Sequence, residues 1–201
     1  LPESMAAYVP LILPPPLRPL AEVLAVFVGV VGIYCSAKIY IFTGRVFWRG
    51  GRTYAKFGGT AAVLGAATLL ATAALAEAVT GEPAMLSAAI AGAILATLGK
   101  LAYEANAMRT EGAVDAEGRQ LHLSTRLMLK HFGRVTTARF AFAILGGVLL
   151  PLGVAVSAVG SWSAAVLAVA GLGCLVAGEL AERVLYFGAV APLRMPGGVK
   201  S

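Results

Sequence analysis

The chain has 201 residues, of which 59% are hydrophobic and 13% are charged, and its mean hydropathy is +0.83. A soluble domain carries about 25% charged residues, so this composition excludes an ordinary water-soluble protein. The net charge of +6 comes from basic residues in the connections between apolar stretches, which argues against nucleic acid as a partner. We therefore predict an all-α protein, a polytopic transmembrane helical bundle whose main solvent is a lipid membrane.

Residues 1–19 form a proline-rich lead-in. Proline removes a backbone donor and disrupts helices, and prolines lie at positions 14, 15, 16 and 19. The stretch also lacks the basic start, apolar middle and small-residue cleavage site of a signal peptide. We expect it to be extended and to lead into the first span.

Five apolar stretches are long enough to cross a bilayer as helices. Only Gly81–Pro83 separate the second and third stretches, and only Gly160 and Ser161 separate the fourth and fifth. Connections this short predict antiparallel hairpins. The predicted spans are residues 20–42, 57–80, 84–105, 135–159 and 162–187, and a tail follows at 188–201.

The distribution of basic residues predicts how the chain crosses the membrane. Arginines and lysines occupy the connections after spans one and three and the C-terminal tail, whereas the other two connections carry only Glu82. The positive-inside tendency places the basic connections in the cytoplasm. In the long third connection, Glu111–Gln120 is predicted to be a polar loop. Leu121–Arg134 separates apolar from basic residues on different helical faces, which is typical of a short interfacial helix.

Ionisable residues occur within the predicted spans, where they are costly. Glu179 precedes Arg183 by four positions in span five, the orientation that favours an intrahelical ion pair. Other polar residues at the same end of the bundle are Tyr34 and Lys38 in span one, Lys100, Tyr103 and Glu104 in span three, Arg139 in span four, and Glu182 and Tyr186 in span five.

Two interpretations of these groups remain open. In the first, Lys38, Lys100 and Arg139 extend to the lipid headgroups and the glutamates only neutralise them. In the second, the groups form a polar pocket that hydrogen-bonds a quinone headgroup or passes protons. The candidate cofactor-binding residues are Tyr34, Lys38, Glu179, Glu182 and Arg183; Arg45, Trp48, Arg49 and Arg52 are candidates for contacts with a partner or with lipid phosphates.

Other chemistries find little support. Cys35 and Cys174 lie in apolar spans and are expected to be reduced, buried and inert. His122 and His131 both fall in the third connection, so a haem held between spans by two histidines is not expected. No catalytic residue and no metal ligand is predicted in this chain.

Two segments resemble a known family. "IYCSAKIYIFTGRVFW" (Ile33–Trp48) and the closing "GELAERVLYFGAVAPLRMPGG" (Gly178–Gly198) are similar to motifs of the DmsC family, the anchor subunits of dimethyl sulfoxide reductase and its relatives. "RFAFAILGGVLLPL" (Arg139–Leu152) is similar to that family's penultimate-helix motif. The resemblance covers nearly all of the chain and matches the C-terminal part of the family.

The resemblance implies a non-catalytic membrane subunit of a molybdoenzyme in a respiratory chain. Such a subunit binds quinone or quinol (menaquinone or ubiquinone) and exchanges electrons with an iron–sulfur subunit. The iron–sulfur clusters and molybdopterin belong to the partners, the iron–sulfur electron-transfer subunit and the molybdenum catalytic subunit. The complex would be a sulfoxide reductase or a sulfite dehydrogenase in a bacterial or archaeal cytoplasmic (inner) membrane, with this chain as a multi-pass component.

The sequence also departs from the family. The early histidine motif and the "SRE"-type motif that the family uses for quinol handling are absent, so those residues are not carried over. We expect either the C-terminal portion of a longer subunit or a shortened relative. An alternative from another class is a small multi-pass transporter or channel whose charges line a substrate path. In a third interpretation, the ionic residues serve assembly alone.

Overall fold

The computed structural model describes residues 17–81, 85–109, 116–158 and 160–188. The described part is a bundle of helices without strands, which confirms the predicted all-α architecture. Its helices are α1 (Arg18–Ile41), α2 (Gly50–Thr80), α3 (Leu86–Arg109), α4 (Ala116–Lys130), α5 (Gly133–Ile144), α6 (Leu150–Val156) and α7 (Trp162–Gly188). A 3-10 turn at Val46–Trp48 precedes α2, and a π-helical segment at Leu145–Leu149 joins α5 to α6.

Five of the described helical stretches are long and apolar enough to cross a membrane. They are Pro19–Ile41, Gly50–Thr80, Leu86–Ala107, Gly133–Val156 and Trp162–Gly188. Each corresponds to one predicted span. At most of the span ends, the observed boundary lies within a few residues of the predicted one. The chain is therefore a multi-pass helical membrane protein.

Three of the differences in where helices begin have a clear explanation or a consequence for the site. Helix α1 includes Pro19, because proline in the first turn removes no helical hydrogen bond; the rest of the lead-in, residues 1–16, lies outside the described residues. Helix α2 begins at Gly50 rather than at residue 57. Helix α4 begins at Ala116 and so takes in part of the predicted polar loop, where alanine, glutamate, arginine and glutamine are good helix formers.

Helix α7 is the centre of the bundle and packs against α2, α5 and α6. Small residues dominate this packing: the core contains alanines of α2, α3 and α7 together with Leu70 and Val154. In lipid, small side chains allow helix backbones to approach closely. The approach is closest at the π-helical segment, where a Cβ placed on Gly146 would lie only 2.6 Å from the carbonyl oxygen of Gly171. Gly171 therefore has a packing role, whereas Gly173 borders open space.

Helix α1 lies at the edge of the bundle. It packs mainly against α2, and Ala37 is the one buried residue among its described side chains. Its apolar side chains, such as Val26 and Phe27, are exposed outside the protein. In a membrane this surface faces lipid or a neighbouring protein.

Candidate functional site

Four helices bring charged side chains together inside the bundle, near the ends that join the basic connections and that the sequence predicts to be cytoplasmic. Lys100 of α3 lies at the centre of this group, with its side chain only 4% exposed. Its ammonium group donates to Glu179 and, at 2.6 Å, to Glu182, both on α7. It also donates to the Thr60 hydroxyl of α2 at 2.9 Å.

Arg139 of α5 forms the second part of the group. Its Nη2 donates to Oε1 of Glu104 at 2.8 Å and lies 3.6 Å from Oε1 of Glu179. The same nitrogen is 3.8 Å from Oε2 of Glu182. Arg139 is 2% exposed, so its guanidinium is held by carboxylates instead of reaching the membrane surface.

Lys56 of α2 completes the group, because its Nζ donates to Oε1 of Glu182 at 3.1 Å. We call the six residues the ionic cluster: Lys56, Lys100, Glu104, Arg139, Glu179 and Glu182. Three cations balance three carboxylates. A buried charge without any partner costs several kcal/mol, so each ion of the cluster is stabilised below the membrane surface by its oppositely charged neighbours.

Helical spacing and small residues explain how the sequence builds the cluster. Lys100 and Glu104 lie one turn apart on α3, with Nζ and Oε1 separated by 3.9 Å. A Cβ on Gly59 would lie 3.3 Å from Cδ of Lys100, so this glycine makes room for the lysine stem to pass across α2. A Cβ on Gly178 would likewise lie 3.4 Å from the carbonyl oxygen of Arg139. These close approaches let α7 reach both partners.

A cavity of about 50 Å³ adjoins the cluster. Among the residues that line it are Arg52, Lys56, Tyr103, Glu104, Thr125, Met128, Arg139, Glu182 and Tyr186. Nε and Nη1 of Arg139 are buried and have no hydrogen-bond partner among the described residues. A cavity of this size holds water, which needs at least about 10–15 Å³. It is about a third of the volume of a cavity of roughly 150 Å³ that binds benzene, so it does not fit a quinone ring in this conformation.

Aromatic rings line the same end of the bundle around Tyr186. The Tyr186 hydroxyl lies 3.2 Å from the Thr53 hydroxyl, and the indole N–H of Trp48 donates to the Tyr186 carbonyl at 3.1 Å. The Tyr186 ring lies 5.7 Å from those of both Tyr40 and Trp48. The contact between Trp48 and Tyr186 ties the 3-10 turn to α7. The Tyr186 ring gives the cavity an aromatic wall.

The structure brings some of the predicted site residues together and separates others. Glu179 and Glu182 belong to the ionic cluster. Arg183 lies beside it, with its guanidinium 4.0 Å from the centre of the Phe57 ring and 3.3 Å from the Thr60 hydroxyl, to which it donates. The carboxylate of Glu179 pairs with Lys100 and Arg139 instead of forming the predicted intrahelical pair with Arg183.

Tyr34 and Lys38 lie on α1, outside the cluster. Nζ of Lys38 is 5.4 Å from the centre of the Tyr34 ring. Tyr34 is 51% exposed, and its ring stacks on that of Tyr54 at 5.9 Å. Their role in cofactor binding stays a prediction.

The suggestion that lysine and arginine extend to the headgroups is wrong for Lys100 and Arg139, whose side chains are 4% and 2% exposed. Sequence analysis missed Lys56 and Thr60, because it assigned Lys56 to a cytoplasmic connection. One signal was available: Lys56 and Thr60 are four positions apart, so they share a helical face. Of the partner-contact candidates, Arg45 lies 5.2 Å from the Trp48 ring and Arg52 lines the cavity. Cys35, expected to be buried, is exposed on α1.

A second buried carboxylate lies at the opposite end of α2. Glu77 is 4% exposed, and its Oε1 accepts a hydrogen bond from the Gly160 N–H at 3.2 Å. Its Oε2 has no hydrogen-bond partner among the described residues. Gly160 adopts a φ of +70°, which lets the turn before α7 direct its N–H at Glu77.

Within the described ranges, no group of three or more histidine, cysteine, aspartate or glutamate residues could hold a metal ion. Comparisons with protein families, with characterised proteins and with solved structures give no match for this chain.

Proposed function

We propose that this chain is the membrane anchor and quinone-interacting subunit of a molybdopterin and iron–sulfur oxidoreductase complex of the sulfoxide reductase or sulfite dehydrogenase type. It passes electrons between the quinone pool of a bacterial or archaeal cytoplasmic membrane and an iron–sulfur subunit. Molybdopterin and the clusters reside in the partner subunits. Quinone, the diffusing substrate, meets this chain in the inner leaflet.

The observation that carries this proposal is the ionic cluster and its aromatic-walled cavity. Quinone reduction consumes protons and quinol oxidation releases them, so a site for either reaction needs groups that exchange protons. Glu104 and Glu182 line the cavity together with the ring of Tyr186. The motif resemblance of Ile33–Trp48 and Gly178–Gly198 to the DmsC family is a separate argument for the same function.

The cavity volume restricts where the quinone ring can bind. Because the space of about 50 Å³ is too small for the ring, the headgroup binds either at the edge of the aromatic wall or after the lining moves. Phe47 of the 3-10 turn and Met128 of α4 are among the residues that line the cavity, and both belong to short elements outside the spans. The residues of this chain would exclude lipid from the headgroup and hold its protons at the carboxylates.

The packing between the two buried acidic sites argues against an open channel along α2. Glu77 and Thr60 lie 17 residues apart on α2, which corresponds to about 26 Å of helix. Between them α2 buries Val63, Ala67, Leu70, Ala71 and Ala74 against neighbouring helices. Along the described part of α2, this buried face is apolar and offers no continuous row of polar side chains.

Purification from the native membrane in a mild detergent tests the proposal. We expect subunits containing iron–sulfur clusters and molybdenum to copurify, and quinol or quinone to react with the complex. Replacing Glu182 by glutamine should lower that reactivity while the complex stays intact, and the exposed Glu22→Gln should not. A chain that purifies alone and moves a solute across proteoliposomes would instead identify a transporter.

A further inference from the structure

The three carboxylates of the ionic cluster are not held equally. Glu179 accepts hydrogen bonds from Lys100 and, at 2.7 Å, from the Thr60 hydroxyl. Glu182 accepts from Lys56 at 3.1 Å and from Lys100 at 2.6 Å. Glu104 has one close cationic contact, at 2.8 Å from Arg139, because Lys100 is 3.9 Å away. Since hydrogen bonds to a carboxylate favour its charged form, Glu104 is the carboxylate of the cluster that is least stabilised as an anion.

Glu104 also adjoins the cavity, which it shares with Glu182. It lines the cavity, whereas Glu179 does not. The cavity is also lined by Thr125 and Met128 of α4, the amphipathic helix that precedes α5 at the basic end of the bundle. The cavity therefore lies between the ionic cluster and the cytoplasmic end of the protein.

Arg139 supplies donors for molecules in this cavity. Its Nη2 is used by Glu104, but its Nε and Nη1 have no partner among the described residues, although Arg139 is 2% exposed. A buried donor without a partner is destabilising, and water in a polar cavity removes that cost. The volume of about 50 Å³ beside the guanidinium is sufficient for such water.

We propose that Glu104 is a reversible proton-binding site, supplied from the cytoplasmic side through cavity water held by Arg139. The carboxylate takes up one proton from that water as the pH falls and returns it as the pH rises. The charged and titratable groups that face it are Arg52 and Lys56 of α2, Lys100 and Tyr103 of α3, Arg139 of α5, and Glu182 and Tyr186 of α7. Protonation of Glu104 removes one negative charge and leaves the cluster net positive. This positive charge favours release of the proton unless a negative charge forms nearby and offsets it. The inference rests on the proposed function only for the use of the proton, which would be exchanged with quinone.

Infrared difference spectroscopy of the full chain in lipid nanodiscs tests the site directly. When the pH is lowered, we expect carbonyl-stretch bands of protonated carboxyl groups, among them one band from Glu104, with a shift to lower frequency in D₂O. Glu104→Gln should abolish the band, and Glu22→Gln, which changes an exposed carboxylate on α1, should retain it. A difference spectrum that Glu104→Gln leaves unchanged, or no carbonyl-stretch band in the unchanged protein, would overturn the proposal.

A second variant covers the case in which Glu104→Gln does not fold. Glu104→Asp keeps a carboxyl group at the site, so its band should remain at a changed frequency; an unchanged frequency would assign the band to another residue and overturn the proposal. The test needs neither quinone nor partner subunits. If the band behaves as expected but the protein neither binds quinone nor copurifies with partners, the proton site stands and the proposed function fails. Quinone reactivity without the Glu104 band would mean that the proposed function stands and the proton site fails.

Discussion

At the scale of single residues, Lys100 is the buried cation on which the ionic cluster depends most. Its ammonium group lies within bonding or ion-pair distance of Glu104, Glu179 and Glu182. The apolar part of its side chain crosses α2 where Gly59 leaves room. No other cation of the ionic cluster replaces both of its short contacts, so its removal leaves the cluster with one uncompensated negative charge although Lys56 and Arg139 remain beside the carboxylates of α7.

Replacing Lys100 by methionine should therefore lower the free energy of unfolding by about 3–5 kcal/mol, the cost of leaving a buried charge unpaired. Thermal or denaturant unfolding in detergent measures the change. The matched control, Lys38→Met on α1, should have little effect, since Lys38 lies outside the cluster. Adding Glu179→Gln to Lys100→Met should recover much of the loss. A stability equal to that of the unchanged protein would contradict the role of Lys100.

Glu77 gives a different prediction, because it has no cation partner among the described ion pairs and accepts from the Gly160 N–H. Glu77→Gln keeps the acceptor oxygen and removes the charge, so stability should stay equal or rise. Glu77→Ala removes the acceptor from a buried N–H and should cost about 1–3 kcal/mol. Comparing the two variants by thermal unfolding separates hydrogen bonding from charge. Equal losses in both would mean that the charge itself stabilises the turn.

At the scale of the elements, the π-helical segment between α5 and α6 determines how closely α7 packs. The closest backbone approach occurs there, between Gly146 and Gly171, and Gly147 is buried against Thr97 of α3. A π-helical turn adds one residue to the helical repeat, and it places two adjacent glycines against two different helices.

Alanine at position 146 should consequently force α5 and α7 apart and lower stability by about 1–3 kcal/mol. Gly173→Ala on α7 is the matched control: nothing lies within 4 Å of its added Cβ, and alanine is the better helix former by about 1 kcal/mol. We expect the control to be neutral or slightly stabilising. Unfolding temperatures of the two purified variants provide the measurement, and a neutral Gly146→Ala would contradict the close packing.

The elements themselves follow from the sequence because long apolar stretches have few alternatives in lipid. The hairpin turns at Gly81 and Gly160 were equally visible, since short glycine-containing connections end helices. The first turns of α2 could not be predicted from the sequence, because Gly50, Gly51, Arg52 and Lys56 have the composition of a cytoplasmic loop. Their helical state depends on contacts with α7 and with the 3-10 turn, and such tertiary contacts leave no periodic pattern.

The candidate site was predictable only in part for the same reason. Spacing along one helix places Glu179 and Glu182 on a common face, and the threading brings Lys100 and Arg139 to the same end. Which cation pairs with which carboxylate depends on how the helices rotate against one another. For that reason the predicted ion pair of Glu179 with Arg183 was wrong, and Glu179 pairs with Lys100 and Arg139 instead.

At the scale of the whole molecule, the arrangement requires both basic connections to lie on one side of the membrane. The ionic cluster joins residues near the start of α2 and α5 and near the end of α3 and α7, which is possible only for alternating crossings. Single cysteines at Thr43 and Arg126, in a protein without Cys35 and Cys174, should be labelled only from the cytoplasm. A cysteine at Ser161 should be labelled only from outside. Labelling of Thr43→Cys and Arg126→Cys from opposite sides would contradict the threading.

The position of the ionic cluster has a consequence for biogenesis. Helix α7 is the last of the described spans to be synthesised, yet it carries Glu179 and Glu182. Insertion of a helix through the translocon costs about 2.5–3.5 kcal/mol for a lone ionised residue such as aspartate at the helix centre. The partners of those two carboxylates, on α2, α3 and α5, are made earlier. We expect α7 to leave the translocon only once these helices have gathered beside it, so that the nascent chain supplies its own counter-ions.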